Sequence, residues 1–66
     1  MMYRMKIDWK TFTIIENETI VENGEIPLHI QADSYETALA EATMTAQKVA
    51  RGFNGTKTEF YYRIIH

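Results

Sequence analysis

Only one stretch of this chain carries a helical period, and segments of period two lie on both sides of it. A single helix covers one face of a sheet and no more. Any sheet built from the flanking segments therefore keeps its other face for solvent or for a partner.

The helical stretch starts at Asp33-Ser34-Tyr35-Glu36, which has the form of a capping box. Asp33 is placed to accept from the first turn and Glu36 to reach back, while Ser34, the lone serine, reads as a helix-start residue. Tyr35, Ala38, Leu39, Ala42, Ala46, Val49, Ala50 and Phe53 then recur at spacings of three and four, forming one apolar stripe. Its centre is three alanines, which let a helix axis come close to a sheet. Lys48 and Arg51 suit the negative end of the helix dipole, and Gly52 is a candidate C′ glycine. The spacing predicts a helix over about 34–51.

Residues 3–15 read as a strand. Tyr3, Met5, Ile7 and Trp9 share one face, and Arg4, Lys6, Asp8 and Lys10 the other. The alternation then inverts, with Thr11 and Thr13 on the apolar parity and Phe12 and Ile14 on the polar one. A bulge near residues 10–12 is expected to restore the facing; a second strand starting there is the other solution. Residues 16–24 read as a polar connection with its turn at Asn23-Gly24, and Ile20 and Val21 extend the flanking strands into a long hairpin arm. In residues 25–32, Ile26, Leu28, Ile30 and Ala32 face one way, and Glu25, Pro27, His29 and Gln31 the other. Asn54-Gly55 marks a turn, and 56–65 a last strand with Thr58, Phe60, Tyr62 and Ile64 on one face.

The element order is β-β-α-β, and the expectation is one small α+β domain over residues 1–66. The third strand runs antiparallel to the first and can pair with it. Sheet order 2-1-3 is then wholly antiparallel and puts the Pro27 strand at an edge, where a missing N–H is tolerated. Order 1-2-3 would need a parallel crossover and would bury Pro27 centrally.

Composition narrows the function. With 66 residues and no cysteine, the chain can form neither disulfides nor a cysteine zinc site. A core of this size rarely supplies more than about 3–5 kcal/mol, which makes self-association an accessible source of further stability. No apolar run reaches membrane-spanning length, and the N-terminal residues lack the continuous apolar stretch of a signal peptide. A cytoplasmic location is expected, where the Asn-x-Thr triplets at Asn17 and Asn54 carry no sugar. Very short cysteine-free chains are frequent among bacterial and phage accessory proteins.

Catalytic equipment is sparse. His29 and His66 have no partner at metal-ligand spacing, the acidic residues of 16–25 do not follow a calcium-loop pattern, and Gly52-Phe53-Asn54-Gly55 follows a helix instead of opening one. No enzyme activity, metal or cofactor is expected.

Two features remain. The sheet face away from the helix is expected to carry Arg4, Lys6, Lys10, Lys57, Tyr61 and Arg63, with Asp8 and Glu59 interspersed. Such a face binds nucleic acid if the cations meet phosphates and Tyr61 stacks on a base. It is simply soluble if cross-strand pairs such as Lys6 with Glu59, or Asp8 with Arg63, neutralise it. The second feature is unplaced apolar residues: Met1, Met2, Phe12, Met44 and Ile65. Gathered together they mark a contact patch. Charge is also segregated, at +2 over residues 1–15, −7 over 16–41 and +3 over 42–66. The expected function is a non-enzymatic module that forms a homodimer, through its open face or a free edge, and binds a protein partner. The alternative is a nucleic-acid binder.

Overall fold

The computed structural model describes Met1–His66. It contains β1 (Met2–Ile15), β2 (Glu18–Gln31), α1 (Tyr35–Arg51) and β3 (Thr58–Ile65). The strands form one antiparallel sheet in the order β2-β1-β3, so the α+β arrangement expected from the sequence is the one observed. Pro27 lies on the edge strand β2.

The helix covers one face. Ala38, Ala42 and Ala46 are fully buried, and Met5, Ile30 and Ala32 pack with Ala38 and Ala42 into the core. Tyr3, Leu28, Leu39 and Ile64 close around that cluster. A second apolar group sits at the C-terminal end of α1. Phe53 stacks on Phe60 at 5.1 Å between ring centroids, and Trp9 on Phe60 at 6.2 Å. Only 8 of the 66 residues are buried, and Ile7 is the one large side chain with no exposure. The core is thin because four of its seven buried apolar residues are alanine, which brings the helix close but buries little area of its own.

The β1–β2 ladder runs without interruption from Met2 opposite Gln31 to Ile15 opposite Glu18. The expected bulge at 10–12 is absent, and no second strand begins there. The inverted alternation has another cause: the helix ends at about this level, so the covered side stops being a core. Thr11 is buried, and Thr13 shares a hydroxyl hydrogen bond of 2.9 Å with Thr58. Phe12 and Ile14 project from the open face instead.

The hairpin turn is Glu16-Asn17, not Asn23-Gly24. Both turn residues have positive φ, 50° and 67°, which is the backbone of a two-residue type I′ turn. Residues 18–24, expected as a connection, belong to β2. Gly24 sits opposite Trp9, and a Cβ on it would lie 2.7 Å from the indole Cζ2. The glycine therefore serves close approach of the ring rather than a turn.

At the start of α1, Ser34 is the N-cap. Its Oγ accepts from the Thr37 N–H at 3.2 Å, in place of the Asp33 contact expected from the capping box. At the other end Gly52 keeps helical dihedrals, φ −63° and ψ −19°, so it is not a left-handed terminator. The helix tightens instead: the N–H groups of Gly52, Phe53 and Asn54 donate to the carbonyls three residues back. The left-handed residue is Gly55, at φ 82°.

Candidate interaction surface

The antiparallel registers fix what the open face displays. From β1 come Arg4, Lys6, Asp8, Lys10, Phe12 and Ile14. Their β2 partners are His29, Pro27, Glu25, Asn23, Val21 and Thr19, and β3 adds Ile65, Arg63, Tyr61 and Glu59. Lys6, Lys10, Tyr61 and Arg63 are brought together at the middle of the sheet. Arg4 lies beyond the end of β3, which reaches only as far as Lys6. Lys57 precedes β3 at the other end, where its carbonyl accepts from the Ile14 N–H at 3.3 Å. The six residues of the expected basic face thus extend over about ten strand positions, roughly 34 Å.

Two of the five cations are already paired. Lys6 Nζ lies 2.9 Å from Glu25, and Arg63 Nε donates to Asp8 at 3.0 Å. The Asp8–Arg63 pair follows the sequence expectation. Lys6 takes Glu25 rather than Glu59, because Glu59 stands opposite Phe12 and accepts from the Tyr61 hydroxyl. The hydrogen bond to Glu25, with that carboxylate's charge behind it, raises the Lys6 pKa above its ordinary 10.5. The bond to Glu59 raises that of Tyr61 above 10.0 in the same way. A shallow concavity of about 680 Å³ crosses the middle of this face, with Asp8, Lys10, Glu25, Tyr61 and Arg63 along it. Two anions and two cations balance there.

Of the apolar residues that the sequence left unplaced, Met1 and Met2 lie at the end of the sheet away from the turn, Ile65 opposite Lys6 and Met44 on the helix, so they form no single patch; Phe12 alone joins an apolar group toward the turn. Phe12 stands directly opposite Val21, and its ring meets Tyr61 edge-on at 5.7 Å. Ile14, Val21 and Tyr61 are all about half exposed. The sequence showed the inverted parity of Phe12 and Ile14. Val21 was hidden from it, because the segment 16–24 had no register until the turn was located.

Beyond Thr13 the sheet narrows to two strands. β3 starts opposite Thr13, Lys57 reaches as far as Ile14, and nothing further lies beside or above the hairpin from Ile15 to Ile20, which is exposed throughout. This arm carries apolar side chains on both surfaces. Ile14 and Val21 point to the open side, and Ile15 and Ile20 to the helix side, where Glu18 and Glu22 flank them. On the helix, Met44 is 57 % exposed and faces away from the sheet.

His29 and His66 are separate: His29 is exposed on the open face, and the His66 ring lies against Tyr35, whose hydroxyl is 3.1 Å from Nδ1. No three His, Asp or Glu side chains converge as metal ligands. No helix is long and apolar enough to cross a membrane. No protein-family model, curated protein or solved structure matches the chain.

Proposed function

We propose that this chain is a non-enzymatic interaction module, in a cytoplasmic setting, that associates with a second copy of itself and as a pair engages a protein partner. The observation that carries the proposal is the arm. Ile14, Ile15, Ile20 and Val21 stand between 41 % and 55 % exposed on a ribbon that neither the helix nor β3 covers. Two-stranded ribbons are marginal by themselves in water, and a second copy is the most economical cover. The thin core points the same way, since association adds stability that 66 residues do not readily supply alone.

The mixed charge of the open face suits a protein better than a polyphosphate. Lys6 and Arg63 are held by carboxylates, and Glu59 sits beside the one exposed aromatic ring that would stack on a base. Arg4, Lys10 and Lys57 have no such partner and are the residues a nucleic-acid reading would rest on.

Sedimentation equilibrium of the full chain at micromolar concentration tests the association, with a dimer of 7.7 kDa protomers expected. A single monomeric species across the concentration range defeats the proposal. Salt separates the alternative: tight binding to single-stranded nucleic acid at about 50 mM salt, lost by about 200 mM, would replace the protein-partner reading.

A further inference from the structure

The sheet is longer than the helix, and the difference leaves room for about three turns of a second one. The molecule is 47 Å long, the length of two 14-residue strands. The 17 residues of α1 span about 25 Å. Past the helix, Phe53 carries the cover on to Phe60, opposite the buried Thr11, and beyond that level roughly 15 Å of arm is bare on the helix side, carrying Thr13, Ile15, Glu18 and Ile20, with Glu22 at its margin.

The outward surface of α1 complements that strip. At about 100° per residue, the buried Ala42 places Ala40, Met44, Gln47 and Arg51 on the solvent side, with Lys48 at their flank. Met44 is thus an isolated apolar residue with Lys48 and Arg51 on its C-terminal side and Glu41 one turn before it. Ile15 and Ile20 are apolar residues with anions beside them. The segregation is complete over both segments: residues 11–24 hold three anions and no cation, and residues 42–58 hold three cations and no anion. Neither set is used within the protomer, whose ion pairs are Lys6–Glu25 and Asp8–Arg63.

We infer that two copies pair about a two-fold axis across the strands, each laying the outward face of α1 on the helix side of the other's arm. This rests on the self-association proposed above and specifies its geometry. Met44 of one copy then packs on Ile15 and Ile20 of the other, and Lys48 and Arg51, both C-terminal to Met44, approach Glu22. Each contact occurs twice, so the assembly closes at two. The product is a sheet–helix–sheet sandwich, in which the two open faces point outward and remain free for a further partner.

Charge exchange tests the geometry on full-length chains. Glu22, Lys48 and Arg51 are exposed, so far-UV circular dichroism is expected to show the fold kept, while the urea midpoint falls with the lost association and with the loss of the cations at the helix C-terminus. Glu22→Lys should raise the dimer dissociation constant several-fold at low salt, and so should Lys48→Glu with Arg51→Glu. An equimolar mixture of the two variants should recover a dimer, because both arm–helix contacts are then complementary. Met44→Glu should weaken the wild-type dimer. If the wild type is a dimer and neither charge variant disturbs it, this docking is wrong while self-association stands. A wild type that stays monomeric removes both.

Discussion

Trp9 and Gly24 show how one side chain is set by the absence of another. The indole lies across the glycine, and its outer side stacks on Phe60. A methyl group at position 24 has nowhere to go unless the ring shifts, and shifting the ring disturbs the stack with Phe60 and Phe53. Gly24→Ala is expected to destabilise the fold by about 1–3 kcal/mol, the cost of overpacking, although alanine is ordinarily the better strand residue. A urea titration reads this as a lower midpoint at unchanged slope. This relation was not legible in the sequence. Asn-Gly is the strongest short turn signal there is, and only knowledge of the register shows that Gly24 is needed for the ring opposite. Alternation by itself did place Arg4, Lys6, Lys10, Tyr61 and Arg63 on one face, since side-chain direction in a strand is a matter of parity. What parity does not contain is distance along the strand, which spreads these residues, or the choice of Glu25 over Glu59 by Lys6.

At the level of elements, helix and strands follow from their periods, and their ends do not. The helix was legible because eight apolar positions agree on one stripe. Its caps turned on single hydrogen bonds: Ser34 rather than Asp33 at the start, and successive three-residue bonds rather than a left-handed glycine at the finish. The hairpin turn was the larger surprise. Glu16 and Asn17 both adopt positive φ, where a residue with a Cβ is strained and asparagine less so than glutamate. The sequence therefore gives a weak signal at the true turn and a strong one seven residues later. Moving the strong signal to the turn, with Glu16→Asn and Asn17→Gly together, should stabilise the protein by about 1 kcal/mol. The check is an increased urea midpoint. No gain, or a loss, would mean that the turn does not adopt the type I′ backbone.

Across the whole molecule the balance is between a thin core and a sheet with one naked face. That face stays in water by pairing its charges, which links stability to alkaline pH. Lys6 and Tyr61 both have folded-state pKa values above the ordinary 10.5 and 10.0. For each, the folded state favours the protonated form. The contribution is whole below the ordinary value and is lost as pH rises through the raised one. Both groups are exposed to solvent, so the effect is small. The urea midpoint should nevertheless fall more steeply above pH 10.5 in the wild type than in a Glu25→Gln, Glu59→Gln variant. Parallel curves would show that these contacts do not persist in solution.

The two-residue turn at Glu16-Asn17 sets the register of a long ribbon that has no other irregular step, and a slip of two residues, which keeps every side chain on its own face, would have to rebuild that turn. Trp9 would then meet Glu22 or Ile26 in place of Gly24. Either would force the indole out of its stack with Phe60, so the glycine acts as a detent, a second notch that holds the rail where the turn has set it.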